Sequence, residues 1–254
     1  MLEGLNEKYV YEMELTKYVD ELRQRSDKSK LLELSSLRGF SMDIIEECGI
    51  FYIGNMAEMI LTEYEDSLDD FGVISSVNGK PIFNNRYIIP IKNSLGLIQN
   101  LVGYSSVADE RYIYANARYY RRRDTLWGLE NIHLAYDLGY AILTEGITDA
   151  IRLRDLGYKN TFAMCGTHKS DFIIRQLNRC RYGIIRIPDR DRAGQKALKG
   201  WEFNKAITIY PYIRYKDIDE MCRETSNIEI VKNYIEHGIE LLVKGIYNQN
   251  LTIL

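Results

Sequence analysis

The chain has little of several things that would fix its class. Only four of its 254 residues are proline. No stretch rich in Pro, Gly or Ser interrupts it, so neither a collagen-like fibre nor a long flexible linker is written here. No apolar run approaches the roughly 20 residues that a membrane-spanning helix needs. The N-terminal MLEGLNEKYVYEMELTKYVDELRQR is charged throughout, without an apolar signal-peptide core. A cytoplasmic protein with no membrane contact is therefore expected.

Metal-binding signatures built on sulfur or imidazole are also missing. The four cysteines, Cys48, Cys165, Cys180 and Cys222, stand far apart with no Cys-x-x-Cys pair, which excludes a zinc ribbon and a disulfide framework. The three histidines, His133, His168 and His237, have no ligand spacing. Any metal chemistry must rest on carboxylates.

What is present is enough apolar residue, 46%, to bury a core, and enough length for two modest subdomains. The net charge of −3 hides a segregation: Met1 to Asp70 holds 7 Lys/Arg against 17 Asp/Glu, whereas Arg86 to Arg123 holds 7 against 2. A local excess of five positive charges is either a solvated face or an anion-binding ridge, and charge alone does not choose.

Apolar residues at Val10, Met13, Leu15, Tyr18 and Leu22 give an approximate helical stripe over about residues 7–25. A second helical unit spans about 30–48, broken at Arg38-Gly39-Phe40-Ser41, with Ser41 as an N-cap. Between Ser67 and Gly103 the pattern turns to strands: GVISSV, a turn at Asn78-Gly79, RYIIPI, then LGLIQNLVGY. From Gly139 onward short apolar runs alternate with amphipathic segments, the pattern of βαβ units around a largely parallel sheet. The strands would be YAILTE, NTFAMC, YGIIRIP and AITIYP. The helices would cover about 148–156, opened by Thr148, then 169–178 and 192–204, with a last helix over 227–237. This organisation predicts an α+β subdomain over 1–135, an α/β domain over 136–222 with a mostly parallel sheet flanked by helices, and a short helical tail over 223–254.

In an open α/β sheet ligands bind where strands end at their carboxyl edge. Glu145-Gly146 follow the first strand, with Asp149 one step into the next helix, and Gly166-Thr167 follow the second. Asp189-Arg190-Asp191-Arg192-Ala193-Gly194 follow the third, and Lys216-Asp217-Ile218-Asp219-Glu220 follow the fourth. Carboxylates crowded on one rim repel one another. A hard divalent cation, Mg²⁺ or Mn²⁺, compensates them and is the cation that carboxylates and substrate phosphates share. Such a site suits phosphoryl transfer, which needs no nucleophilic side chain.

The same residues resemble the topoisomerase–primase (TOPRIM) domain, and their surroundings resemble bacterial-type (DnaG-like) DNA primases. Thr144-Glu145-Gly146-Ile147-Thr148-Asp149-Ala150 is similar to the primase EGYMDV segment, Cys165-Gly166-Thr167 to LGT, Asp189 to Gly194 to DGDxAG, and Lys216 to Glu220 to KDPDE. Upstream, Arg38-Gly39-Phe40-Ser41 with Ile44-Ile45-Glu46 and Gly49-Ile50 resembles the family's RG-x-S, TIE and FGIGY element. Asn85 to Lys92, with Gly96 and Val102-Gly103-Tyr104, resembles NRIMFPIRDxxGxVIGFGGR. Arg111 to Asn116 and Thr125 to Leu129 resemble KYLNSPE and LYGL. About residues 30–222 follow the family's RNA-polymerase domain in order.

The resemblance implies a primase catalytic core that makes short RNA primers on single-stranded DNA from ribonucleoside triphosphates by two-metal chemistry. It implies Glu145, Asp189 and Asp191 as catalytic ligands of Mg²⁺ or Mn²⁺, with Asp149, Asp217 and Asp219 completing a second site or its outer shell. Arg86, Lys92, Arg111, Gly146 and Lys216 would meet template and nucleotide. Tyr87, Tyr104, Tyr112 and Tyr114 are either base platforms or strand packing. It implies no zinc in this chain, a zinc-bearing primase partner acting in trans and a replicative helicase as partners, and a phage or mobile-element style of split primase. The carboxylates alone also fit a metal-dependent nuclease, and a replisome-binding module without turnover is the third reading.

Overall fold

The computed structural model describes residues 2–122, 125–165, 171–191, 194, 203–247 and 250–252, and the chain divides into two compact units, Met1–Arg122 and Arg123–Leu254.

The first unit opens with α1 (Leu2–Arg25), α2 (Lys28–Arg38) and α3 (Met42–Glu47). Ser41 caps α3 as its sequence signature requires, its hydroxyl accepting from the Ile44 N–H. Arg38 ends α2 because Gly39 follows at φ 64°, a left-handed C-cap. Four antiparallel strands come next in the order β1-β2-β3-β4: β1 (Phe51–Ile53), β2 (Arg86–Lys92), β3 (Ile98–Tyr104) and β4 (Tyr112–Tyr114). A short α4 (Leu68–Phe71) lies between β1 and β2.

The buried stripe of α1 is Tyr11, Leu15, Tyr18, Val19 and Leu22, the cleaner i, i+4, i+7, i+11 face of a 3.6-residue period. Val10 and Met13, read from sequence as part of that stripe, lie off this face and stay 46% and 38% exposed. The GVISSV hairpin strand also does not form: only a single bridge pairs Ile74 with Pro81. The turn itself holds, with the Lys80 N–H on Asn78 Oδ1 and Gly79 at φ 65°. Val73 is buried at the base of the flank, but Val77 beside the turn is 92% exposed, and Pro81 has no N–H to donate to a ladder.

Glu12, also buried on α1, joins the helix to the sheet. Its carboxylate accepts from Asn93 Nδ2 and Gln99 Nε2, each at 2.9 Å, and from the Tyr120 hydroxyl. Glu12→Ala leaves those donors without an acceptor inside the fold and is expected to cost about 2–4 kcal/mol. The urea midpoint of the variant measures this; an unchanged midpoint would show the carboxylate to be dispensable.

The second unit is a six-stranded sheet in the order β10-β9-β8-β6-β7-β5. It comprises β5 (Leu126–Trp127), β6 (Tyr140–Thr144), β7 (Thr161–Met164), β8 (Gly183–Ile187), β9 (Ala206–Tyr210) and β10 (Asn250–Thr252). All pairs are parallel except β5 with β7. Alternate side chains of β6 face opposite cores. Ala141 and Leu143 pack with Ile132 and Ala135 of α5 (Ile132–Leu138) and with Ile173 and Leu177 of α7 (Asp171–Leu177). Ile142 packs with Leu153 of α6 (Ile147–Asp155), Ile218 and Met221 of α8 (Ile218–Glu224), and Val231 and Ile235 of α9 (Ile228–Val243). Burial on both faces explains why these strands read as continuous apolar runs.

Three expectations change in detail. Residues 125–135 pack with the second unit rather than the first. The last helix runs past His237 to Val243, because Gly238 lets it lie on the sheet: a Cβ there would sit 3.0 Å from Ile209 Cδ1. The tail then adds β10 beside β9, a strand too short and polar to be seen in the sequence. The helix expected over 192–204 falls almost wholly outside the described residues. Among the described residues no helix is long and apolar enough to cross a membrane.

Candidate active site

The parallel pairing of β6 with β8 determines where the acidic residues fall. Thr144 stands opposite Ile187, so Glu145, one residue past β6, and Asp189, two past β8, leave the sheet side by side at its carboxyl edge. The turn after β8 is built for close approach. The Gly194 N–H donates to Asp191 Oδ1 at 2.9 Å, and a Cβ on Gly194 would fall 2.3 Å from the Asp189 carbonyl oxygen, so only glycine fits. Across the β9 side, the Arg190 N–H donates to the Lys216 carbonyl at 2.7 Å, and the Arg190 guanidinium donates to the Pro211 carbonyl. The two loops that carry Asp189, Asp191 and Lys216 are thus tied together by backbone groups.

The helix α6 begins at Ile147 with Gly146, not Thr148, in the N-cap position. Gly146 is another close approach: a Cβ there would lie 2.4 Å from Asp149 Oδ2. Asp149 is 5% exposed, and its Oδ1 accepts from the Asp219 N–H at 3.0 Å. Asp219 has no exposed surface. Its two oxygens take Arg152 Nε at 3.0 Å and Arg223 Nε at 3.1 Å. Asp217 caps α8 through the Glu220 N–H at 2.7 Å. The loop after β7 ends, within the described residues, at buried Cys165; Gly166, Thr167 and His168 lie outside them.

Electrostatics at this rim are strained in one direction. Burial pushes the Glu145 carboxyl up to about 7, with Asp189 and Asp191 adding repulsion and Lys216 opposing it. Burial likewise raises Asp189 to about 6, with Lys216 pulling it back while Asp217 and Asp191 push it up. Asp149 is raised well above the carboxylate range, first by burial and then by Asp217, Asp189 and Asp219. Glu145 Oε2 is buried, with no hydrogen-bond partner among the described residues. Among the described residues no group of three or more His, Cys, Asp or Glu is drawn tightly enough to form a cation cage. The donor set nevertheless fits a hard divalent ion: hard oxygen donors and, among the described residues, one carboxylate oxygen without a partner.

A pH prediction follows from those directions. Where folding raises a carboxyl pKa, the folded state holds the proton longer, so stability is lost as pH rises from the unfolded value through the folded one. For Glu145 that window runs from its ordinary 4.5 to about 7. The metal-free protein is expected to melt lower at pH 8 than at pH 5.5 on this account, and Mg²⁺ to restore more stability at pH 8 than at pH 5.5. Calorimetry at both values, with and without Mg²⁺, checks it; equal Mg²⁺ stabilisation at both would count against charge compensation.

In the first unit, Arg111 is exposed and Lys92 half-buried. Arg86 is 7% exposed, and its Nη1 donates to the carbonyls of Gly103 and Arg111 at 3.4 and 3.3 Å. Tyr87 and Tyr104 are buried and sit in a ladder across the sheet. Tyr52, Tyr87, Tyr104 and Tyr112 face one another in register on adjacent strands, with ring centroids 5.1, 6.4 and 5.3 Å apart. These rings serve cross-strand packing. Arg122 covers the Tyr114 ring at 4.1 Å.

Sequence reasoning did not single out Arg152, Arg223 or Arg190. The i, i+3 spacing of Asp149 and Arg152 on one helix was the available signal, but the partner of Arg152, Asp219, is 67 residues away.

Residues 142–222 match a family model described as Toprim-like. The chain is 28% identical to the DNA primase of Thermotoga maritima over 245 residues, 87% of this chain and 42% of that protein. It is 28% identical to the DNA primase of Aquifex aeolicus over 193 residues, 71% of this chain and 39% of that one. It thus spans about two fifths of the length of these relatives. A DNA primase domain from Pseudomonas aeruginosa superimposes with a TM-score of 0.74 at 19% identity, covering 88% of this chain and 78% of that one. A DnaG primase catalytic domain bound to single-stranded DNA gives 0.72 at 18%, covering 93% and 83%. An α+β part followed by a Toprim-like parallel sheet is the fold these structures share with this chain.

Proposed function

We propose that this chain, a DnaG-like primase core in fold and in its Toprim-like domain, catalyses template-directed synthesis of short RNA primers on single-stranded DNA as a nucleotidyltransferase. The observation that carries the proposal is the meeting of Glu145, Asp149, Asp189 and Asp191 with Lys216 at one sheet edge, where burial and repulsion raise the pKa values of Glu145, Asp149 and Asp189 and an oxygen of Glu145 has no partner among the described residues.

Glu145, Asp189 and Asp191 would hold Mg²⁺ or Mn²⁺, while Asp149 and Asp217 would complete a second position or its surroundings. Asp219, already bound to two arginines, would act from outside by fixing Asp149 through its N–H. Divalent cations bound there would offset the charge that gathers between an attacking 3′-hydroxyl and a departing pyrophosphate. Gly146, with no side chain, would let a phosphate approach the start of α6, and Lys216 would meet the nucleotide's phosphates. Lys92 and Arg111 would track the template strand, with Arg86 bracing the carbonyls of the strands that carry them.

In that role the protein would work in the cytoplasm, with a replicative helicase and a zinc-bearing primase module as its partners. A primer assay with single-stranded template, ribonucleoside triphosphates and Mg²⁺ tests the reading: short RNA products are expected. Metal-dependent degradation of labelled DNA without nucleotides would instead establish a nuclease. A helicase or polymerase that co-purifies with a protein lacking any metal response would establish a binding module.

A further inference from the structure

The ammonium of Lys216 lies 3.3 Å from Asp189 Oδ2 and 3.4 Å from Asp191 Oδ2. Its main chain is fixed at both ends, the N–H donating to Glu220 Oε2 at 2.6 Å and the carbonyl accepting from Arg190. Its side chain, by contrast, keeps 53% of its surface exposed, against 15% for Asp189 and 40% for Asp191. A fixed root with a solvated, four-carbon stem is the arrangement of a group that can hold a site and leave it.

We propose that Lys216 is a tethered cation that competes with the divalent ion for Asp189 and Asp191, holding the two carboxylates together in the metal-free protein and passing to the nucleotide's phosphates when the ion binds. The proposal rests on the reading of Glu145, Asp189 and Asp191 as a cation site.

Three features support it. Two carboxylates that share one ammonium lose much of their mutual repulsion, which otherwise opposes closing the loops after β8 and β9 on each other. The compensation is incomplete, because Glu145 Oε2 still has no partner among the described residues. A divalent ion carries twice the charge and takes several oxygen ligands at once, so it satisfies more of the cluster than an ammonium does. The displaced lysine then faces anions that the reaction brings to this edge, the phosphates of the incoming nucleotide.

Competition has a signature that a structural lysine lacks: removing the charge must strengthen metal binding. Mn²⁺ titrations followed by electron paramagnetic resonance, with no nucleotide present, compare wild type with Lys216→Met, Lys216→Arg and the double variant Asp189→Asn/Asp191→Asn. Lys216→Met is expected to bind Mn²⁺ about tenfold tighter, since a repelling charge has left the pocket, and Lys216→Arg to stay within about threefold of wild type. Metal-free Lys216→Met is expected to melt below metal-free wild type, and Mn²⁺ to close that gap. Mn²⁺ affinity of Lys216→Met equal to or weaker than wild type would overturn the competition while leaving the cation site standing. Unchanged Mn²⁺ binding in the double asparagine variant would overturn the site itself, and the competition with it.

Discussion

Asp189→Ala and Asp191→Ala are each expected to lower primer synthesis by on the order of 10³-fold. Both carboxylates stand at the carboxyl edge where β8 leaves the sheet, both are held toward Lys216, and neither contributes apolar packing. Loss of Asp189 should therefore act on the cation site and not on the fold, whereas Asp191→Ala also gives up the hydrogen bond accepted from the Gly194 N–H. Stability provides the control. Burial and neighbouring carboxylates raise the Asp189 pKa to about 6, so removing it relieves an unfavourable charge at neutral pH, and the metal-free variant should melt no lower than wild type. The two losses should not multiply in the double variant, because residues that serve one ion act as a unit. Turnover in the primer assay and melting temperature, measured on the same preparations, decide the matter; wild-type activity in either variant would remove the assigned mechanism.

Arg154→Ala is expected to show the opposite profile, a large stability loss. The guanidinium is 1% exposed. It pairs with Glu130 Oε1 at 2.7 Å, donates to the carbonyls of Thr161 and Gly128 at 3.0 Å each, and lies 4.4 Å above the Trp127 ring. Through these contacts one side chain of α6 fixes β5 and β7, the strands at one edge of the sheet whose centre carries Glu145. Alanine removes the stacking and takes a charged donor from Glu130 and from the Thr161 and Gly128 carbonyls, of which Gly128 keeps the Asn131 N–H, at a cost of about 3–5 kcal/mol, or roughly a 10 °C fall in melting temperature. Arg154→Lys keeps the charge but not the planar fork, so a substantial part of the loss should remain. A melting temperature within about 2 °C of wild type for the alanine variant would show that the edge strands are held by packing alone.

Much of the second unit was legible because buried parallel strands write themselves as apolar runs and place chemistry at their ends. YAILT, YGIIRI and AITIY became β6, β8 and β9 with Glu145, Asp189 and Lys216 just beyond them. The supports of that site were not legible, because they depend on pairings between distant residues. Nothing local says that Arg152 and Arg223 converge on Asp219, or that Arg190 reaches the Pro211 carbonyl. In the first unit, local pattern misled where tertiary context decides. Arg86 reads as a basic ridge residue but turns inward to carbonyl acceptors. Tyr87 and Tyr104, open in sequence to base stacking or strand packing, close a ladder between strands, a register fixed by pairing and not by composition. The bridge at Ile74 failed to extend although Val73 is buried, because Ser75, Ser76 and the exposed Val77 carry no apolar face up to the Asn-Gly turn.

The central claim is that Glu145, Asp189 and Asp191 take a divalent cation in common. Crystals of the protein grown with Mn²⁺ and measured at the manganese absorption edge test it most directly. The account predicts an anomalous peak within coordination distance, about 2.2 Å, of oxygens from at least two of these three carboxylates, with the Lys216 ammonium no longer between Asp189 and Asp191. A fully occupied manganese peak elsewhere on the protein, with the three carboxylates bare and Lys216 still in place, would contradict it.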